Sequence, residues 1–241
     1  MATTSIEWTD KTWNPITGCT KISEGCKHCY ANVMTNRLQG MKKPKYSNGF
    51  KVTLHSNDLL EPTKWKRRSM VFVCSMSDLF HKDVSFEFID KVFNVIRQTP
   101  QHTYQILTKR AERMNEYFKE RSIPENAWIG VTVENRDTKY RMDYIRDLSA
   151  KVKFISCEPL LEDLGNLNLR GINWIIVGGE SGVQARPMKA EWAINIKNQA
   201  EANNIPFFFK QWGTWGADGI KRNKKANGKI LNGSIIQQMP I

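Results

Sequence analysis

The feature that most constrains the fold of this chain is a series of short apolar runs, rich in β-branched and aromatic residues, most of them followed by a helical segment. The predicted strands lie at 12–18 (a weak one), 51–56, 70–76, 103–108, 128–133, 152–157, 174–178 and 206–210. Several runs are almost continuously apolar, as is typical of strands buried on both faces of a parallel sheet. The predicted helices lie at 27–38, 58–68, 86–97, 109–120, 136–148 and 190–203. This alternation predicts an α/β fold, a (βα) barrel of six to eight mostly parallel strands.

The C-terminal stretch differs in composition from the rest. Residues 217–229 are polar, basic and rich in Gly and Asn, and Asn232-Gly233 lies between two short apolar runs. An Asn-Gly pair in that position is a strong signal for a β-hairpin. We therefore predict one barrel domain over 1–216, followed by a basic loop and a β-hairpin over 217–241.

The charge of the chain indicates a polyanionic partner. Lys and Arg number 36 against 24 Asp and Glu, a net charge of +12, and an apolar content of 40% excludes a wholly disordered chain. Nucleic acid and a small phosphorylated molecule both fit this charge. Three basic runs, at 42–45, 64–68 and 221–225, have tryptophan or tyrosine neighbours that can stack on bases, which favours nucleic acid.

The sequence predicts a cytoplasmic protein that is not associated with a membrane. No run approaches the roughly 18 apolar residues that a membrane helix needs. The first residues, MATTSIEWTDK, lack the basic start and apolar core of a secretory signal. Five unevenly spaced cysteines are too few for a disulfide scaffold and fit a reducing compartment.

Mostly polar and charged residues lie at or just after the carboxyl ends of six of the predicted strands. They include Ser75, Ser77, Asp78, Lys109, Thr132, Glu134, Glu158, Gly178, Gly179, Glu180, Lys210, Gln211 and Trp212. In a parallel barrel the carboxyl ends of the strands carry the active site. Ordinary turns would explain the Ser, Asp and Gly residues, but a Lys or Glu at the end of a buried strand needs a partner. We therefore predict a ligand-binding face at these strand ends.

Three cysteines form the sharpest motif. Cys19, Cys26 and Cys29 have the spacing C-x6-C-x2-C, between the first weak strand and the first helix. Three thiolates can hold three irons of a [4Fe–4S] cluster and leave the fourth iron open to a ligand. Zinc is the alternative, with His28, His55 or His81 as a fourth ligand.

These motifs resemble a known superfamily. The stretch NPITGCTKISEGCKHCYAN at 14–32, with CSMSD at 74–78 and ILTKR at 106–110, resembles radical S-adenosylmethionine (radical SAM) enzymes of the spore-photoproduct-lyase-like branch. The first cysteine gap is three residues longer than that branch usually has. IIVGGESG at 175–182, ARP at 185–187 and PFFFKQWG at 206–213 are similar to a phage-associated three-Cys-motif family of unassigned function.

The resemblance implies a radical SAM enzyme on a partial TIM barrel. Cys19, Cys26 and Cys29 would hold a [4Fe–4S] cluster, and reductive cleavage of S-adenosylmethionine would yield a 5′-deoxyadenosyl radical for the repair or modification of a nucleic acid, nucleotide or base. It also implies an external electron donor and a partner protein encoded nearby.

The remaining candidate residues take their roles from that chemistry. The resemblance places Tyr30 near the cofactor and Ser77 and Lys109 at its methionine part. Glu134 or Glu158 supplies acceptors for the ribose and sulfonium, and Gly178 and Gly179 permit close backbone approach. The cofactor-binding set is Ser75, Ser77, Asp78, Lys109, Thr132, Glu134, Glu158, Gly178, Gly179 and Glu180. The substrate-binding set is Arg186, Lys210, Gln211 and Trp212.

Cys74 and Cys157 complete the catalytic candidates with Tyr30. Each is a hydrogen-atom donor in one interpretation and an inert buried core cysteine in the other.

Two other classes of protein stay open at this point. One is a nucleic-acid-binding protein whose three cysteines hold a structural metal, and the other is an iron–sulfur protein that acts only with a partner protein. The polar strand ends favour the enzyme, because a structural metal does not need them.

Overall fold

The computed structural model describes residue 4 and residues 6–240, which form two compact units. Unit 1 comprises the described residues up to Ile22, together with Cys29–Ile129 and Leu148–Lys151. Unit 2 comprises Ser23–His28, Gly130–Asp147 and the described residues from Val152 onward. The predicted C-terminal extension, 217–241, therefore lies in unit 2 as far as it is described.

A parallel sheet is the main element of the fold. The strands are β1 (Lys11–Trp13), β2 (Ile16–Thr17), β3 (Thr53–Leu54), β4 (Met70–Val73), β5 (Thr103–Thr108), β6 (Ala127–Thr132), β7 (Lys153–Cys157), β8 (Trp174–Gly178), β9 (Phe207–Gln211), β10 (Ile230–Leu231) and β11 (Ser234–Ile235). Seven of them form one sheet in the order β1-β4-β5-β6-β7-β8-β9. The ladders of β1, β4 and β5 in unit 1 and of β7, β8 and β9 in unit 2 are parallel. The predicted α/β fold with six to eight mostly parallel strands is thereby confirmed.

Helices follow most of these strands. They are α1 (Tyr30–Gly40), α2 (Phe86–Gln98), α3 (Ala111–Phe118), α4 (Asp143–Arg146), α5 (Ala190–Ala202) and α6 (Lys224–Asn227). Helix α2 shows why the sequence forms them: Ser85 caps it by accepting from the Phe88 amide at 3.3 Å, and its apolar residues at helical spacing are buried.

Four predicted elements differ from the structure. The predicted strand at 12–18 forms two short strands, β1 and β2, in different sheets, and the predicted helix at 136–148 forms a 3₁₀ helix at Arg136–Met142 followed by α4. The other two differ as follows. The run at 51–56 yields only β3, which pairs antiparallel with β2 in a separate two-stranded sheet. Thr53 is partly exposed and Leu54 is exposed, so this segment lacks the buried faces of a central strand. The segment 58–68 forms a 3₁₀ helix at Glu61–Lys64, where Pro62 has no amide proton to continue an α-helix. In both cases the local pattern was too weak to set the tertiary role.

The C-terminal residues are integrated into unit 2. Strands β10 and β11 pair antiparallel, and Asn232 and Gly233 between them have φ of 48° and 78°. Leu231 is fully buried, and the Phe209 amide donates to the Ile236 carbonyl at 2.7 Å. Within the described residues, none of the helices has both the length and the apolar character required to cross a membrane.

Candidate metal centre and its surroundings

Cys19 lies in unit 1 just after β2, beside an ion pair between the buried Asp78 and the partly buried Arg110. Arg110, at the end of β5, donates from Nη1 to Asp78 Oδ2 at 2.9 Å and to the Cys19 Sγ at 3.5 Å. Burial opposes the charge on Arg110, but Asp78 and Cys19 raise the pKa of its guanidinium above the ordinary value. A guanidinium next to a cysteine favours the thiolate, which is the metal-binding form.

Both carboxylate oxygens of Asp78 accept hydrogen bonds from nearby residues of unit 1. Its oxygens accept hydrogen bonds from the Phe80 amide, the Thr108 hydroxyl, the Lys109 amide and the Arg110 guanidinium. Asp78 therefore orients Arg110 toward Cys19 rather than presenting a free oxygen to a ligand.

Thr20 and His81 fix the chain on the other side of Cys19. Arg110 Nη2 donates to the Thr20 carbonyl at 2.9 Å. His81 is fully buried, and burial followed by Arg110 lowers its pKa, so the ring is neutral. Its Nδ1 accepts from the Asp83 amide at 3.1 Å, so Nε2 carries the proton and donates to Thr20 Oγ1 at 2.7 Å. Both ring nitrogens are thus engaged with protein groups.

The strand-end hydroxyls of unit 1 are engaged locally. Ser75 donates to Asn14 Oδ1 at 3.1 Å, and Ser77 donates to the Gly18 carbonyl at 2.6 Å. The Tyr30 hydroxyl donates to the Ser75 carbonyl. In the described part of the chain, the half-buried Lys109 ammonium makes no hydrogen bond or ion pair.

A groove of 690 Å³ lies beside Cys19 in unit 1. Its walls include Cys19, Thr20, Asn36, Gln39, Asn48 and Lys51. Cys29 is the N-cap residue of α1, and its carbonyl accepts from the Val33 amide at 3.3 Å. Amides, a cation and a thiol thus meet at this groove.

Cys26 lies in unit 2, within a three-residue 3₁₀ helix at Glu24–Cys26. Ser23 precedes that turn, and its hydroxyl donates to Glu134 Oε1 and lies 3.7 Å from the Cys26 Sγ. The other oxygen of Glu134 accepts from Arg141 Nη1 at 2.8 Å. Glu134 is fully buried and the Arg141 side chain is 3% exposed, so this pair is shielded from water.

Glu180, after β8, makes a second contact with the same turn. Arg186 donates to both of its carboxylate oxygens, at 2.9 and 2.7 Å, and also to the Glu24 carbonyl at 2.9 Å. His28 Nδ1 lies 3.3 Å from Glu180 Oε2. Burial alone would raise the pKa of Glu180, but hydrogen bonds from Arg186 and His28 lower it below the ordinary value.

The remaining unit 2 candidates pair with one another. Lys210 Nζ lies 3.0 Å from Glu158 Oε1, and Ser156 donates to Glu158 Oε2 at 3.3 Å. A Cβ on Gly178 would lie 2.5 Å from Glu158 Oε1, and one on Gly179 would lie 1.9 Å from the Trp212 carbonyl. These two glycines therefore accommodate the chain's own packing.

Three further candidate residues make hydrogen bonds within unit 2. Thr132 is buried, and its carbonyl accepts from Arg141 at 2.9 Å. Trp212 is 3% exposed, and its indole donates to the Ile230 carbonyl at 2.8 Å, so its ring is part of the core. Gln211 lies 3.4 Å from the Ser181 hydroxyl.

Cys74 and Cys157 are buried at the ends of β4 and β7. Burial, and then the charge of Asp78, raises the pKa of the Cys74 thiol, while burial and then Glu158 raises that of Cys157. Both are therefore thiols that keep their proton at neutral pH.

The donor chemistry distinguishes the other three cysteines. Cys19, Cys26 and Cys29 are partly exposed and form no disulfide, and Cys19 and Cys26 each have a polar hydrogen-bonding neighbour. Among the described residues, no group of three or more His, Cys, Asp or Glu side chains is arranged to hold a metal ion. The three thiols fit an iron–sulfur cluster as a donor set, because soft thiolates select such clusters.

Sequence reasoning missed four of these residues. Arg110, Arg141, Ser23 and Glu24 contact the cysteine-bearing segments or the residues that hold them, but none was a candidate. Of these four, only Arg110 could have been found from the sequence, because it lies in the ILTKR motif directly after Lys109. The role of the other three depends on which residues the fold brings together.

The fold and the site together define an α/β protein with a parallel sheet and three accessible thiols in residues 19–29. A protein-family model described as "Protein of unknown function (DUF5131)" matches residues 3–240, and the chain belongs to that family. No curated protein matches the chain, and no solved structure does.

Proposed function

We propose that this protein is a radical SAM enzyme, with its parallel sheet as the partial barrel of that superfamily. The observation that carries the proposal is the contrast among the five cysteines: three within residues 19–29 are partly exposed, and the other two are buried in the core. The polar ends of the parallel strands add support, because that edge of an α/β sheet is where ligands bind.

Cys19, Cys26 and Cys29 would hold a [4Fe–4S] cluster. The chemistry that this cluster supplies with bound S-adenosylmethionine is one-electron cleavage of a carbon–sulfur bond, which gives a 5′-deoxyadenosyl radical. Arg110, which is held in position by Asp78, would stabilise the thiolate of Cys19. The unpaired ammonium of Lys109 attracts the carboxylate of the methionine part. Ser77, whose proton is committed to the Gly18 carbonyl, accepts from the methionine ammonium.

The proposed substrate is a nucleic acid, a nucleotide or a modified base. The net charge of +12 supports a polyanionic ligand. The groove beside Cys19 supports access for a ligand larger than the cofactor. The five cysteines form no disulfide within the described residues, which supports a reducing, cytoplasmic location, where an external electron donor and a partner protein would also act.

The test is anaerobic reconstitution with iron and sulfide, followed by dithionite and S-adenosylmethionine. We expect 5′-deoxyadenosine on chromatography from the wild type, none from Cys26→Ala, and wild-type amounts from the exposed control Lys82→Ala. A zinc-loaded protein that forms no product would contradict the proposal and favour a nucleic-acid-binding protein with a structural metal.

A further inference from the structure

The segment Ser23–His28 has little structure of its own. Its only regular element is the 3₁₀ turn at Glu24–Cys26, which buries no residue and has no side-chain cap. A turn of that length is not stable in isolation. Yet the segment belongs to unit 2, although its chain neighbours Ile22 and Cys29 belong to unit 1. Contacts from outside the segment must therefore hold it.

Glu134 provides the first of these contacts. One of its oxygens is committed to Arg141 and the other accepts from Ser23, so the buried carboxylate has no oxygen left without a partner. Gly25 lies against the same carboxylate, since a Cβ there would be 2.9 Å from Glu134 Oε1. A larger residue at this position would push the Glu134 side chain away from its hydrogen bonds with Arg141 and Ser23.

Glu180 provides the second contact, at both ends of the segment. Arg186 joins Glu180 to the carbonyl of Glu24, and His28 contacts Glu180 directly. Cys26 lies in the sequence between Glu24 and His28. Two residues that flank Cys26 are therefore tied to one carboxylate, and Ser23 is tied to another.

We infer that Glu134 and Glu180 are positioning residues that fix Cys26 before any metal binds. We call Glu134, Glu180, Arg186 and the segment Ser23–His28 the clasp. The contacts of the clasp are those given above, and its role in holding Cys26 ready for a cluster depends on the proposed function. Such preorganisation lowers the entropic cost of metal binding, and loss of an outer partner typically costs about 10–100-fold in metal affinity.

The first test uses the metal-free protein. Ser23→Ala removes the hydrogen bond to Glu134, and Glu180→Gln removes the negative charge that Arg186 and His28 contact. Both variants leave the Glu134–Arg141 pair intact, so we expect the fold to be retained. We expect faster hydrogen exchange at the amides of 23–28 and faster alkylation of Cys26 by iodoacetamide, with Cys74 still protected. The matched controls are Ser234→Ala and Glu191→Gln, both on exposed residues of unit 2.

The second test titrates the same apo variants with Co²⁺ and follows thiolate-to-metal absorption. Ser23→Ala and Glu180→Gln are expected to weaken binding about 10–100-fold, and Arg186→Lys, which keeps the charge, to weaken it less. Unchanged exchange and alkylation in both variants would overturn the clasp. Altered exchange with no Co²⁺ binding even by the wild type would support the clasp as a structural device and contradict the proposed function.

Discussion

Cys19 and Cys26 each lie near an arginine–carboxylate pair, but the arginine is the nearer partner of Cys19, whereas the carboxylate side of the pair faces Cys26. In unit 1, Arg110 is shared between Asp78 and Cys19, so the thiol faces a cation. In unit 2, Arg141 donates hydrogen bonds to Glu134 and to the Thr132 carbonyl. Cys26 lies next to the Ser23 hydroxyl, which donates to Glu134. Cys19 is therefore influenced mainly by a neighbouring positive charge, whereas the position of Cys26 is fixed by the hydrogen bonds of its turn.

The largest effect is expected from breaking the pair in unit 2. Glu134→Ala leaves Arg141 buried without its counter-charge, so we expect a loss of about 3–5 kcal/mol in the free energy of unfolding, measured by urea denaturation. The exposed Glu201→Ala, which loses only the surface pair with Lys197, should cost about 1 kcal/mol or less. Equal losses in the two variants would contradict the description of Glu134 as a buried anchor.

Lys109→Met tests the cation left unpaired in unit 1. We expect binding of S-adenosylmethionine, measured by calorimetry on the reconstituted protein, to weaken by about 10–100-fold, because a hydrogen bond to a charged group contributes about 1.5–3 kcal/mol. Iron content should not change, since Lys109 is not a ligand. Undiminished cofactor binding, with Lys82→Met as the reference, would exclude Lys109 from the site.

Arg110→Lys tests whether Cys19 depends on its cation as the comparison requires. A lysine cannot span Asp78 and Cys19 with the same planar group. We expect iodoacetamide to alkylate Cys19 about tenfold more slowly at neutral pH, because the thiolate is the reactive form and one charge-assisted hydrogen bond is lost. The alkylation rate of Cys26 should stay the same; a parallel fall would show that the two environments are not independent.

The smallest effect is a dependence on pH. Since the folded pKa of Glu180 lies below its ordinary value of 4.5, its ionisation stabilises the folded protein above pH 4.5, and this contribution is lost as the pH falls through the folded pKa. Wild-type protein should therefore lose more stability between pH 6 and pH 3 than Glu180→Gln in urea denaturation. Identical acid profiles would show that the Arg186 contact does not stabilise the fold.

The sequence allowed the parallel sheet to be predicted because buried strands need continuous apolar runs, as in Trp174–Gly178. It did not reveal that 51–56 leaves the sheet, since the pairing of β3 with β2 depends on tertiary contacts. The charge of Glu134 and Glu180 and their positions at strand ends identified them as candidate residues, but the sequence predicted that they bind a cofactor. That their partners are Arg141, Ser23 and Arg186 follows only from the folded chain.

Metal analysis and electron paramagnetic resonance of the anaerobically reconstituted, dithionite-reduced protein would decide whether the three cysteines hold an iron–sulfur cluster. We expect about four irons per chain in the wild type, a reduced-cluster signal that changes when S-adenosylmethionine is added, and loss of both in Cys26→Ala. Zinc in place of iron, or a cluster signal that persists unchanged in Cys26→Ala, would contradict this expectation.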